Sequence, residues 1–156
     1  MTAADQLWDQ LEPLGFEKEE RPDGYLPSLP RDITSLTDQQ LMVLYSQYVS
    51  WTAYAAMRLA EARANEKATK QNLNHSMATA SLNAAMEKTV AGRKAAAAAD
   101  TQVQKDERAH IDAQSLTEAL EMVHKNAEAR ANFCSRDLSR RQGSRDITTR
   151  ENRWGI

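Results

Sequence analysis

The stretch TDQQLMVLYSQYVSWTAYAAMRLAEA, residues 37–62, decides the fold class of this chain. Its apolar residues recur at alternating steps of three and four, which is the period of one face of an α-helix. That face consists of Leu41, Leu44, Tyr48, Trp51, Ala55, Leu59 and Ala62. It continues more thinly toward residue 84, and no proline or glycine interrupts residues 38–91. The sequence therefore predicts one helix of about 50 residues.

Polar residues and glycines mark where the helices begin and end. Thr37 fits an N-cap, because Gln40 is three residues later and can reach back to the Thr37 backbone. Gly92 suits the C-cap of this helix, Asp100-Thr101 suits the N-cap of the next, and Gly143 suits a final break.

Between Asp100 and Gly143 a second apolar face keeps helical spacing. It consists of Ile111, Leu116, Leu120, Val123, Ala127, Ala131, Cys134 and Leu138. Two long helices joined by a short turn predict an all-α chain built as a long antiparallel helical hairpin.

Three regions follow from this pattern. Residues 1–36 form an N-terminal arm, residues 37–142 form the hairpin domain, and residues 143–156 form a basic C-terminal tail. Residues 1–16 predict a short amphipathic helix broken near Pro13 and Gly15. Residues 17–35 keep no periodic pattern, which favours an extended linker.

The composition of the chain carries information on its oligomeric state and its cellular location. Only two phenylalanines are present among 156 residues, so large core-filling side chains are scarce. This scarcity predicts a homo-oligomer that buries apolar surface against its own copies. The single cysteine, Cys134, excludes an internal disulfide and favours the cytoplasm. No apolar run reaches the length of a membrane span, so no membrane partner is expected.

The residue types of catalysis are present but not in working combinations. The three histidines, His75, His110 and His124, do not share a helix face with ligands at metal spacing. Cys134 lies on the apolar face, where a small buried hydrophobe is favoured over a nucleophile. Glycines are scattered and no phosphate loop occurs. We therefore predict a protein that is not an enzyme, with no catalytic residue, metal site or cofactor.

Charge is distributed along a gradient. Residues 1–36 carry eight acidic and three basic residues, whereas residues 130–156 carry three acidic and seven basic residues. The basic end holds the predicted nucleic-acid-binding set: Arg130, Arg136, Arg140, Arg141, Arg145, Arg150, Arg153 and Trp154. Arginine pairs with phosphate in bidentate fashion, and tryptophan stacks on unpaired bases, so the set favours single-stranded nucleic acid. The alternative is a solvated helix end, where the helix dipole favours cations.

An aromatic cluster near the start of the first long helix has two interpretations. It comprises Tyr45, Tyr48, Trp51 and Tyr54. Tyr48 and Trp51 lie on the apolar face, which favours packing, and a platform for base stacking is the second interpretation.

Several short segments together carry a family resemblance. Residues 42–48, MVLYSQY, open the long helix, and residues 57–62, MRLAEA, lead it into a lysine-rich stretch. Residues 132–135, NFCS, lie near the end of the second helix, before the basic tail. This order resembles the UvsY family of phage recombination mediators over about residues 37–156. The resemblance implies a ring-forming helical oligomer that binds single-stranded DNA. It also implies help in loading a RecA-like recombinase where a single-strand binding protein already sits.

Two other functions fit a helical, oligomeric chain. One is a phage structural or assembly protein, such as a scaffold, neck or tail component, whose arginines contact an acidic protein surface. The other is a small helical regulator that uses the segment Leu7-Trp8-Leu11 as its hook.

Overall fold

A computed structural model describes the backbone of residues 1–154 and the side chains of residues 1–150 and 153. Four α-helices make up most of this part of the chain: α1 Ala3–Leu11, α2 Asp38–Asn83, α3 Val90–Ala98 and α4 Thr101–Trp154. Short 3₁₀ turns lie at Glu12–Leu14 and Ile33–Ser35. The described residues contain no strand, so the prediction of an all-α chain is confirmed.

Two compact units divide the chain. The first unit combines Met1–Lys18 with Met57–Glu121, and the second combines Glu19–Ala56 with Met122–Ile156. These units do not coincide with the three predicted regions, because the predicted arm, residues 1–36, is shared between them.

In the first unit, α1 is docked on α2 through its one buried residue. Trp8 is 6% exposed, and its Nε1 donates a hydrogen bond of 2.8 Å to Glu61 Oε1. Arg58 Nη1 lies 2.8 Å from the other oxygen of the same carboxylate. The helix begins at a capping box made by Thr2 and Asp5, as its spacing allows. The predicted short helix at the N-terminus is confirmed, and its tryptophan packs within the chain.

The same unit has a small core of short side chains. Ala80, Ala97 and Val103 are buried there, with Leu73 and Met77 packed against them. Arg63 Nη2 lies 2.6 Å from Glu121 Oε1, and Thr69 Oγ1 lies 3.4 Å from His110 Nδ1. Within this unit, later residues of α2 therefore meet earlier residues of α4, so the two segments run in opposite directions.

The predicted end of α2 was wrong. Gly92 does not cap α2, which ends at Asn83; it lies inside α3. Thr89 is the N-cap of α3, because its hydroxyl accepts a hydrogen bond of 2.9 Å from the Gly92 N–H. A Cβ at Gly92 would lie 2.9 Å from Glu87 Oε2, the end of an exposed flexible side chain, and 3.0 Å from the Thr89 hydroxyl, and this glycine makes no left-handed turn. Asp100 caps α4 as predicted, accepting from the N–H of Gln102.

The second unit has a denser core. Leu41, Tyr48, Ala131 and Cys134 are buried between α2 and α4, with Leu44, Tyr45 and Leu138 packed around them. Thr37 and Gln40 form the predicted capping box, with hydrogen bonds of 2.9 and 3.2 Å. In this unit too, a long helix packs antiparallel to another, since Asp38 meets Arg145 and Tyr48 meets Arg130.

The linker predicted over residues 17–35 is packed in its second half. Leu26, Ile33 and Leu36 lie against the core of the second unit. Three apolar side chains with irregular spacing carry no periodic signal, but they suffice to cover the open side of a two-helix contact. The prediction of an extended linker therefore misses both the 3₁₀ turn at Ile33–Ser35 and the contacts of these side chains.

The final break predicted at Gly143 is absent. α4 continues through Gly143 to Trp154, and Gly143 is exposed, with nothing within 4 Å of the place that a Cβ would occupy. A single glycine inside a helix costs only about 1 kcal/mol relative to alanine, which a long helix tolerates. As far as residue 154, the basic tail is thus the last part of α4.

Candidate nucleic-acid interface

The solvent-facing side of α4 in the second unit is a continuous basic and apolar stripe. Its positions follow one another at steps of three and four, so they share one helix face. We call the outer stripe this set of residues: Met122, Lys125, Ala129, Phe133, Arg136, Arg140, Gly143, Ile147 and Arg150. Every member is exposed and none is acidic. At 1.5 Å per residue the stripe is about 42 Å long.

The outer stripe combines cations with exposed apolar groups. Phe133 is 47% exposed and Ile147 is 59% exposed, and each lies within one turn of an arginine. Arg136 makes no ion pair with a described residue. In proteins that bind single-stranded nucleic acid, cationic side chains bind the phosphate backbone and aromatic rings stack on the bases, and the outer stripe has both.

Arg141 points the other way and is tied into the protein. Its guanidinium donates to the backbone oxygens of Leu36 at 2.6 Å and Ile33 at 2.8 Å. It also donates to Asp38 at 3.1 Å and Asp137 at 2.8 Å, and its side chain is only 17% exposed. These bonds attach the segment before α2 to α4, so a phosphate would have to displace them to reach Arg141.

Arg130 has a similar structural setting. Its Nη1 donates a hydrogen bond of 2.8 Å to the Pro27 oxygen, and its guanidinium lies 6.0 Å from the Tyr48 ring centroid. It therefore holds the packed linker from the other end, and a cation–π contact adds to the hydrogen bond.

The remaining predicted arginines differ in whether they have an ion-pair partner and in how exposed their side chains are. Arg145 pairs with Asp38 at 2.6 Å while staying 72% exposed, and Arg140 pairs with Asp137 while staying 68% exposed. Both arginine side chains keep most of their surface in solvent, although Arg140 is held on the buried Asp137 carboxylate by two hydrogen bonds of 2.8 and 3.2 Å. Arg150 and Arg153 are exposed. Trp154 ends α4, and its side chain lies outside the described residues.

Asp137 is the shared anion of the arginine cluster. It is 9% exposed and accepts from Arg140 at 2.8 Å and from Arg141 at 2.8 Å. These bonds, first that from Arg140, hold the pKa of the Asp137 carboxyl below its usual value of 3.8, although burial works against them. The carboxylate is therefore ionised wherever the protein is folded near neutral pH.

A pH dependence follows from this lowered pKa. The folded pKa lies below the unfolded one, so the stabilisation is complete above about pH 4 and is lost as pH falls through the folded pKa. We expect Asp137→Asn to lower the melting temperature at pH 7 and to converge on the wild-type value as pH falls below about 4. Thermal melts by circular dichroism across this range measure it. A difference that stays constant down to acid pH would contradict the assignment.

Four cationic or large apolar members of the outer stripe were missed by sequence reasoning: Met122, Lys125, Phe133 and Ile147. Lys125 precedes the basic cluster by five residues, and Phe133 stands out in the sequence only as part of a short family-like segment. The signal that finds them is the second face of α4, because their spacing to Arg136 and Arg140 is as regular as that of the buried face.

The rings of the aromatic cluster differ in how deeply they are buried. Tyr48 is fully buried, which fits the packing interpretation. Trp51 and Tyr54 are half-buried and meet edge to face, with ring centroids 6.0 Å apart. Neither ring lies open as a flat platform for a base.

The described residues offer little for other chemistry. They contain no group of three or more His, Cys, Asp or Glu side chains able to hold a metal ion. Cys134 is fully buried, and burial raises the pKa of its thiol. A thiol of this kind stays protonated and out of reach, as the packing interpretation requires.

Neither known proteins nor a membrane-spanning segment gives a further indication of function. No protein-family model, curated protein or solved structure matches this chain. Among the described residues, no helix combines the length and the apolar character that crossing a membrane requires.

Proposed function

We propose that this protein binds single-stranded DNA along the outer stripe of α4 and acts, as an oligomer, as a phage recombination mediator. The observation that supports binding is the stripe itself: four cations and three large apolar side chains, all exposed, without a carboxylate among them. The mediator role, which is to help a RecA-like recombinase load where a single-strand binding protein sits, is supported by the resemblance to the UvsY family.

The chemistry favours a single strand over a duplex. Arg136, Arg140 and Arg150 can each neutralise a phosphate of one strand, and the ring of Phe133 can stack on an unpaired base. A duplex offers no unstacked base for such a ring. The net charge of −2 does not oppose this, since only one face of the subunit needs to be basic.

We also propose that α2 and α4 form one long antiparallel hairpin and that copies of it associate through α2. Support comes from the solvent-facing side of α2, where Met42, Val43 and Val49 are 45–54% exposed. Association would bury these side chains and place several outer stripes on one particle. Weak stripes linked in this way bind a long strand far more tightly than one stripe does.

The test is a salt titration. Four cations per stripe predict a log–log slope of about −3 per subunit engaged, at roughly −0.7 per phosphate contact. Fluorescence anisotropy of a labelled oligothymidine at several salt concentrations measures this slope, and an oligoadenosine and a duplex of equal length serve as controls. The absence of saturable binding at low salt would overturn the proposal.

A structural or assembly role is the second candidate, and the exposed side chains of α2 favour it as much as they favour a ring. Under it, the outer stripe would contact an acidic protein surface of the particle. The two candidates separate in the same titration, because an assembly protein gives no saturable binding to the oligonucleotide. Sedimentation velocity then tells whether the chain still associates with its own copies.

A further inference from the structure

A second basic surface lies in the first unit, where α1 crosses α2. It is a groove of about 620 Å³, within the size range of ligand pockets. The groove is lined by Leu7, Ala60, Arg63, Ala64, Glu66, Lys67 and Lys70. No member of the outer stripe lies in it, so what it binds is a separate question from DNA binding.

The charges of the groove favour an anion. Arg63 already lies 2.6 Å from Glu121, but Lys67 and Lys70 are exposed and make no ion pair with a described residue. They are three positions apart on α2 and therefore project from the same face. Glu66 is the one carboxylate on the lining. Two ammonium groups without an ion pair thus stand along one wall, and one carboxylate, Glu66, lies one turn before Lys70.

The floor of the groove favours an apolar group beside that anion. Leu7, Ala60 and Ala64 form it, and the aliphatic stems of the two lysines extend it. No aromatic side chain lines the groove, so nothing there stacks on a nucleobase. Aliphatic walls fit a side chain such as leucine or phenylalanine.

We propose that this groove binds an acidic peptide segment of a partner protein, with one apolar side chain seated on Leu7, Ala60 and Ala64. The carboxylates of the segment pair with Lys67 and Lys70. Because α1 supplies Leu7 to this floor, binding also holds α1 in its docked position. The charge complementarity, not the apolar floor alone, defines the partner as acidic.

The test uses the full-length protein and a fluorescein-labelled peptide that has four aspartates followed by leucine and phenylalanine. We expect saturable binding at low salt, weakened about tenfold by Lys67→Ala/Lys70→Ala and strengthened about threefold by Glu66→Gln. A peptide with asparagine in place of aspartate, and one with serine in place of both apolar residues, should each bind about tenfold more weakly. The variant Lys94→Ala/Lys105→Ala is the matched control, since both lysines are exposed, lie in the same unit and are not in the groove.

Three results would overturn the proposal. One is no binding of the peptide, and another is equal weakening by the control variant, which would mean a diffuse charge effect. The third is that an oligothymidine displaces the peptide and loses affinity itself in Lys67→Ala/Lys70→Ala, which would make the groove a phosphate site. A protein that fails to bind DNA but binds the peptide as described would leave this inference standing.

Discussion

Replacing the three exposed arginines of the outer stripe is expected to weaken binding to single-stranded DNA by roughly a hundredfold at low salt. The variant is Arg136→Gln/Arg140→Gln/Arg150→Gln. All three side chains are exposed, and only Arg140 has a described ion-pair partner, Asp137, which keeps Arg141 in the variant. The loss of three phosphate contacts should also make the salt slope about two units shallower.

The matched control removes the same charge elsewhere. Lys88→Gln/Lys94→Gln/Lys105→Gln changes three exposed lysines of the first unit and leaves the stripe intact. It should keep nearly all of the wild-type affinity. If the two triple variants lose equal affinity, the binding depends on net charge alone and the outer stripe is not the interface.

Phe133 gives an independent readout of the same surface. Phe133→Ala should weaken binding about tenfold, because stacking on a base contributes about 1–3 kcal/mol, and it should leave the salt slope unchanged. The arginines should change the slope and the phenylalanine should not. Arg141 and Arg130 are poor choices for such tests, since both hold the packed linker and their loss would disturb the fold.

Sequence periodicity is sufficient for α2 and α4 and for where each of them begins. The 3-and-4 spacing from Leu41 to Ala62 and the capping residues Thr37 and Asp100 are local signals, and local hydrogen bonds decide where a helix begins. The ends are harder to predict. Gly92 and Gly143 resemble stops in the sequence, yet both lie inside helices, because a glycine costs a helix only about 1 kcal/mol relative to alanine and does not end it by itself.

The packed linker could not be derived from its residues. Leu26, Ile33 and Leu36 follow no period, and the arginines that hold their backbone, Arg130 and Arg141, are about 100 residues later in the chain. Sequence spacing gives no sign of such distant partners.

The candidate interface was only partly predicted, because it too depends on contacts between residues that are distant in the sequence. Charge counting finds every arginine near the C-terminus, but it does not separate those facing solvent, such as Arg136, from those facing the protein, such as Arg141. That separation depends on which side of α4 packs on α2. Once the buried face is known, the opposite face identifies Phe133 and Lys125 as well.

Tyr48 carries the largest expected effect on stability. It is fully buried in the core of the second unit, between Leu41, Ala131 and Cys134. Truncation to alanine removes a large aromatic side chain from a core with few such groups, and it removes the contact with Arg130 at 6.0 Å. We expect Tyr48→Ala to lower the free energy of unfolding by about 3–5 kcal/mol, a large share of the usual total for a domain.

Tyr48→Phe should behave in the opposite way. The Tyr48 hydroxyl is buried and has no hydrogen-bond partner among the described residues, and burial raises its pKa. Removing a buried hydroxyl without a partner costs nothing in hydrogen bonding, so the variant should match the wild type or exceed it by about 1 kcal/mol. Urea unfolding at one fixed protein concentration compares the three proteins, since association would otherwise change the apparent stability. A loss above about 1 kcal/mol in Tyr48→Phe would mean that the hydroxyl has a partner in solution. The second unit would then be held by a polar contact at its centre, and not by ring packing alone.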